Sequence, residues 1–416
     1  MRISAWMILP VSVFLTLAVA DAWAQSQASI KTEGSVYLRS IYDEVNLDSR
    51  INPGNRLQNL KNQRLALETR LTLSERFGTD TDAPRQWRWL FKGYAAKASY
   101  RDAEGVLHDE ARADELFVDW KSDAWFASLG KRRINWGHAQ GFNPVNVVVS
   151  PRDPTNPSRA TEGQPMLWVS RSSSAQAVDV IAARSNGRGQ PGAGDLNRWG
   201  LKWSIAAAKS DYALYYFDGA PYRDGRDYER MLGGSFSADV FPGITAYMEA
   251  AHFGNNTRNY YAASGSPAVK GGAYWQTVAG SSLSLGGKRR IAVEYFSNGQ
   301  GYSKPERLNY FYAGDRQLAS GALTRSPVTR DFRPTGMNRD YLLINYQDEW
   351  RERFTVDLST LAARDRSTTL RAQGSYAISD YYELKVVLLR IRGARDTEFS
   401  NNPLSNTLEI WFGASF

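Results

Sequence analysis

Arg39, Arg64, Arg70, Arg88, Lys92, Arg371 and Lys385 all occupy the more polar side of segments in which apolar and polar residues alternate. Of the 51 basic residues in the chain, 39 are Arg, against 43 Asp and Glu and a net charge of +8. A guanidinium is a planar fork that meets carboxylate, sulfate or phosphate with two parallel hydrogen bonds, so the bias toward Arg points to anionic partners. Glu33, Glu68, Glu115, Asp119, Glu294 and Asp357 fall on the same side. Pairing with them would stiffen a wall, while the excess of base would still leave a field that favours anions.

Two long segments carry further candidates. Segment 135–165 holds Trp136, Arg152 and Asp153, together with His138 and Arg159. Segment 299–339 holds Arg316, Arg325, Arg330 and Arg333, with Arg307, Arg339 and several Tyr. Either could narrow a passage, and loops this long are functional or disordered. Arg and Tyr together suit chains of sugar acids, and equally a surface lying against lipopolysaccharide phosphates.

Catalysis has little to draw on. His108, His138 and His252 are the only histidines, and there is no cysteine. Thiolate metal sites and disulfides are therefore excluded. No Gly-rich phosphate loop, Cys/His metal pattern or nucleic-acid module is present. The chain is expected to be no enzyme, to need no cofactor or metal and to bind no nucleic acid, despite a pI near 9.4.

The elements that must position these groups are strands. In "RLALETRLTLSERF", Leu65, Leu67, Thr69, Leu71 and Leu73 face one way and Arg64, Glu68 and Arg70 the other. "QWRWLFKGYAAK" opposes Trp87, Trp89 and Phe91 to Arg88 and Lys92, and "RWGLKWSIAAA", "RFTVDLSTLA" and "TLRAQGSYAI" repeat the period of two. Alternating stretches about ten residues long, separated by turn residues, are the mark of transmembrane barrel strands. Mean hydropathy is only −0.47, as expected when alternate residues alone meet lipid. A soluble sandwich also alternates, but it gives no reason for so many strands or for the ending "TLEIWFGASF", whose apolar face includes Phe416.

The connections supply an independent check. Short turns are predicted at 79–85, 121–124, 174–176, 209–211, 241–243, 286–288, 350–353 and 379–381. The alternate connections are predicted at 44–62, 102–111, 135–165, 186–197, 220–226, 254–272, 299–339, 365–367 and 393–405, all but 365–367 clearly longer than the neighbouring turns. Strict alternation of the two kinds joins eighteen strands, with sixteen the alternative count, strand 6 being expected near 166–173. The expected fold is all-β: a closed antiparallel transmembrane β-barrel with short periplasmic turns and long extracellular loops. Residues 1–24, with Arg2, an apolar run and Ala22-Trp23-Ala24, read as a signal peptide. Residues 25–416 then form one barrel domain.

A final strand ending in Phe with apolar residues at alternate positions resembles the assembly signal of Gram-negative outer-membrane barrels. "LGKRRINWGHAQGFNPVNVV" at 129–148 is similar to a strand-to-loop pattern of porin-like and alginate-exporter-like barrels. The resemblance implies the cell outer membrane, with outer-membrane lipid and lipopolysaccharide as surroundings. Eighteen strands leave an aqueous lumen, so the expected function is a porin-like channel for anionic small solutes or oligosaccharides. The alternative is an export conduit for an anionic exopolysaccharide that works with a periplasmic scaffold and inner-membrane machinery. Monomer and trimer both remain open.

Overall fold

The computed structural model describes residues 30–77, 85–97, 110–148, 153–156, 162–185, 196–219, 230–256, 258–262, 264–319, 328, 332 and 335–416. The expected signal peptide and several expected connections lie outside them. The first half of the barrel comprises β1 (Lys31–Val45), β2 (Gln63–Phe77), β3 (Arg85–Lys97), β4 (Glu110–Ser122), β5 (Trp125–Arg132), β6 (Gln164–Ser172), β7 (Gln176–Ser185), β8 (Leu196–Ala207) and β9 (Ser210–Gly219). It continues through β10 (Arg230–Phe241) and β11 (Ile244–Phe253), then a loop hairpin of β12 (Asn259–Tyr261) and β13 (Pro267–Val269). The wall resumes with β14 (Tyr274–Ser284), β15 (Arg290–Asn298), β16 (Asp340–Trp350), β17 (Phe354–Ala363), β18 (Thr368–Ala377), β19 (Tyr382–Arg392) and β20 (Leu404–Ser415).

Each wall strand pairs antiparallel with the next, and β20 returns to β1, so eighteen strands form a closed barrel. The sixth strand starts two residues earlier than expected, at Gln164. Closure follows the register Ser35↔Ser415, Arg39↔Trp411 and Asp43↔Thr407. It runs on to the last residue: Gly34 N donates to Phe416 O at 2.9 Å, and Phe416 N to Gly34 O at 3.0 Å. The Phe416 ring lies over Gly34, where an added Cβ would come within 2.2 Å of Cζ. Only a residue without a side chain fits beneath that ring.

The outer face shows why the alternation exists. Every one of the eighteen wall strands carries at least one large apolar residue exposed there, among them Leu38, Leu65, Leu129, Trp199, Leu388 and Phe412. A soluble protein would bury such a belt; a continuous exposed one is a surface for something apolar. Arg39, Glu68, Asp119, Glu249, Glu294 and Arg371 sit on alternate positions that point inward, where most are buried.

The loop end contains the main departure from expectation. Within 299–339 stands a helix, α1 (Lys304–Ala319). Its start is a capping box: Glu306 Oε2 accepts from the Ser303 backbone N–H at 2.7 Å, which satisfies a donor the helix leaves free. Tyr302, Tyr310, Phe311 and Ala313 pack with Ile51, Tyr260, Tyr261 and Met337, joining connections 46–62, 254–273 and 299–339. Arg50 ties the layer further, gripping Asp315 of α1 and, at 2.7 Å, Asp396 of connection 393–403.

Seam packing yields the first prediction. Gly34→Val forces the Phe416 ring off the strand and is expected to destabilise the barrel by about 1–3 kcal/mol. Thermal unfolding in detergent should show a lower midpoint than the parent, whereas Ser40→Val, also outward and six residues further along β1, should leave it nearly unchanged.

Candidate functional site

The inner wall from β19 through β20 and β1 to β4 carries interleaved cations, carboxylates and aromatic rings. Pairing aligns Lys385, Trp411 and Arg39 across three adjacent strands. Arg39 Nη1 lies 3.2 Å from Glu68 Oε1 and Nη2 2.6 Å from Glu409 Oε1, and its guanidinium sits 4.5 Å from the Trp411 ring centre. Trp411 Nε1 donates to Glu409 at 2.9 Å, fixing the indole. Lys385 Nζ lies 5.4 Å from Trp411 and 5.5 Å from Tyr37, with Glu383 at 3.9 Å. Tyr37 leans over Gly413, where a Cβ would come 2.5 Å from the ring. Such cation–aromatic contacts hold charged heads in place while leaving part of each exposed.

The remaining wall candidates belong to the same surface. Arg70 reaches Glu68 at 3.4 Å and lies 5.5 Å from Tyr37. Arg88 meets Asp119 at 2.6 Å, and Lys92 meets Glu115 at 3.1 Å. Arg64 pairs with Asp43, and Arg132 joins Arg88 on Asp119. Arg371 bonds Gln373, with Asp153, Glu409 and Asp357 acting on it electrostatically. Glu68 and Asp119 each serve two arginines, so the pairing ties neighbouring strands of the wall together.

The opposite inner wall carries two apolar clusters among scattered polar groups such as Asp179 and Lys202, and holds the connection between β5 and β6. Trp136 is buried, with its ring 5.3 Å from Phe217 and 6.0 Å from Tyr215. Phe142 stacks on Phe296 at 4.3 Å and 16°. Two inward carboxylates catch the backbone between those anchors. Glu249 Oε1 accepts from His138 N (2.5 Å) and Ala139 N (2.7 Å). Glu294 Oε2 accepts from Gly141 N (3.0 Å) and Phe142 N (3.1 Å), and Oε1 from Gln140 N and the Tyr247 hydroxyl (2.8 Å). Gly141 is required by closeness, since a Cβ there would lie 2.1 Å from Leu343 Cδ2.

Trp136 is thus an anchor on the wall. Two other residues of this loop, His138 and Gln140, border a cavity of about 700 Å³ with Lys209, Asp239, Tyr247 and Arg290. Gln140 also meets Arg290, Asp357 and Arg371 at a narrow cleft. Asp153 accepts from Thr155 N at 2.9 Å and Thr155 Oγ1 at 2.7 Å. Arg316 is exposed on α1 beside Gly265, away from these groups. Arg152, Arg325, Arg330 and Arg333 lie outside the described residues.

Sequence reasoning passed over the loop clamp. Glu294 was expected only as one lumen acid among several, and Glu249 not at all. The available signal was the "WGHAQGF" stretch, whose two glycines and flanking aromatics suit backbone held against a wall. Connections 299–339, 365–367 and 393–405 meet at a second buried network. Glu398 accepts from Met337 N (3.0 Å), Asn338 N (2.9 Å) and the Tyr341 hydroxyl (2.7 Å). Burial raises its carboxyl to about 7 against the pull of those hydrogen bonds. Arg307 reaches Asn338 at 2.7 Å and Asp365 at 3.5 Å in the same network.

No family model and no curated protein matches the chain. Among solved structures it is similar to a triple mutant of the Rh. blastica porin (10% identity, 93% of this chain and all of that one, TM-score 0.47). It is also similar to a second triple mutant of the Rhodopseudomonas blastica porin (9%, 93% and 100%, TM-score 0.47). A structure titled for the asymmetric conductivity of engineered proteins has the same coverage at 9% identity and a TM-score of 0.47.

The clamp generates the second prediction. Glu294→Ala leaves three loop amides and the Tyr247 hydroxyl without their acceptor, each buried group costing about 1–3 kcal/mol if nothing replaces it. Hydrogen exchange at Gln140, Gly141 and Phe142 should accelerate at least tenfold, while exchange in β1 and β20 stays at the parent rate.

Proposed function

We propose that the chain is a porin-like channel of the Gram-negative outer membrane, passing small anionic solutes or oligosaccharides, with residues 1–24 removed as a signal peptide. The observation that carries this reading is the division of the lumen into two unlike halves. Glu249 and Glu294 hold the loop on the apolar half, and the wall bearing Arg39, Arg70, Arg88, Lys385 and Trp411 remains to line a passage. The apolar belt on all eighteen strands supports a membrane setting.

The wall suits anions that also carry a flat or ring-shaped surface. Guanidinium forks pair with carboxylate or phosphate, and Trp411 and Tyr37 offer faces to a sugar ring. Shared carboxylates weaken each site, which favours transit over tight binding. A free pair of unit charges 4 Å apart is worth about 4 kcal/mol at an effective dielectric of 20, and pore water and the wall acids reduce that greatly. A modest preference follows.

Reversal potentials across planar bilayers test this reading. Anions are expected to permeate better than cations at 0.1 M salt, with the preference shrinking at 1 M, where the screening length falls from about 10 Å to about 3 Å. Replacing Arg70, Arg88 and Arg371 together by Ser should reduce it. Cation preference in the parent protein would overturn the electrostatic account. Absence of any current would favour the other reading, an exopolysaccharide export conduit closed until its periplasmic partners bind.

A further inference from the structure

A second arginine cluster lies outside the barrel wall, at the loop end of β17 to β19. Arg390 and Arg392 share the outward parity of the exposed Leu384, Val386 and Leu388. Arg392 is paired in register with Thr368 and Arg390 with Leu370, the latter also outward and exposed. The hairpin between β17 and β18 adds Arg364 and Arg366, and connection 393–403 adds Arg395. All five are exposed. Register and parity place Arg390 and Arg392 directly beyond the apolar belt, about 7 Å apart along one strand.

The fold makes little use of their charge. Arg364 Nη1 pairs with Asp340 at 2.7 Å. Among the described residues, Arg366, Arg390, Arg392 and Arg395 have no ion pair. The carboxylates at this end are already committed. Asp365 accepts from Ser367 N and Oγ and from Asn338 Nδ2, Asp396 holds Arg50, and Glu398 is enclosed in its own network. Like charges gathered on one surface repel, so the cluster lowers the stability of the free protein. Arg366 adds a backbone cost, because its φ of 70° is the left-handed region where Gly or Asn is usual. Its N–H closes the hairpin onto Ala363 O at 2.9 Å, a role that any residue except Pro fills. Charge retained at two costs points to an anionic ligand.

Place decides which anion. Arg390 and Arg392 face away from the lumen, so a solute in transit does not meet them, with exposed Arg366 and Arg395 beside them at the loop end, and apolar Leu358 and Leu388 continue below on the outer face. A ligand that satisfies both parts has phosphate groups above and acyl chains beneath. We propose that Arg366, Arg390, Arg392 and Arg395 bind the phosphates of an acylated glycolipid in the outer leaflet, its chains lying along β17 to β19. This rests on the reading that the loop end faces the cell exterior, and it adds a fixed lipid site that the channel function does not require.

Binding of fluorescent bisphosphorylated lipid A to the purified barrel in detergent micelles provides the test. The parent is expected to bind it at least tenfold more tightly than the same lipid stripped of phosphate, and to lose affinity as NaCl rises. R366Q/R390Q/R392Q/R395Q is expected to bind at least tenfold more weakly while keeping the parent's single-channel current. Equal binding of the stripped lipid, equal binding by the variant, or full displacement by millimolar inorganic phosphate would each overturn the proposal, the last by identifying a free-anion patch. If the variant does not fold, the stripped-lipid and salt arms on the parent decide. Because binding is read without current, its failure is distinct from failure of the channel reading.

Discussion

A strand exposes two rows of backbone donors and acceptors, and a sheet of any width leaves one row bare at each edge. Closure removes both rows at once, and in hydrocarbon, where no water substitutes, nothing else does so for a sheet. Everything described here depends on the single seam that achieves it, between β1 and β20. The pair of hydrogen bonds between Gly34 and Phe416 carries that seam to the final residue, and the ring above Gly34 shields it. Once the seam is fixed, the period of two assigns every other side chain to the outside or the inside.

Inside, the assignment leads to two walls with different work. β9, β11, β14 and β15 present Tyr215, Phe217, Phe253, Val278 and Phe296, an apolar floor on which Trp136 and Phe142 settle. A loop cannot lie on such a floor with bare amides, and this explains why Glu249 and Glu294 stand in an otherwise apolar stretch. They supply acceptors where water is excluded. The other wall keeps charge, with carboxylates shared between arginines and aromatic faces beneath the cations. The same contacts therefore stiffen the wall and keep its charged heads at the lumen surface.

The barrel was legible in the sequence because alternation and turn spacing are local signals with a fixed period. Leu65 to Leu73 and Arg64 to Arg70 separate by parity alone, and the structure puts them on opposite faces. α1 was less legible, though Ser303 and Glu306 stood at capping-box spacing, because its sequence has no clean apolar stripe and is stabilised by Tyr260, Tyr261 and Ile51 from other connections. The clamp by Glu249 and Glu294 was hidden for a different reason. Parity shows that a carboxylate points inward, but only the path of a loop more than a hundred residues away in sequence shows what it binds. Arg39 was legible as inward and charged; that Glu409 and Trp411 would hold it required the closing register.

The claim beneath this account is that alternate residues of the wall face water inside and an apolar medium outside. The chain contains no cysteine, so single cysteines report their surroundings without interference. Arg70→Cys and Leu71→Cys, adjacent on β2, are the most direct pair. In reconstituted bilayers, a membrane-impermeant thiol reagent is predicted to label position 70 and change the single-channel current, and to leave position 71 unlabelled. Equal labelling at both positions, or labelling at 71 alone, would contradict the division of the wall on which the lumen and the loop clamp both rest.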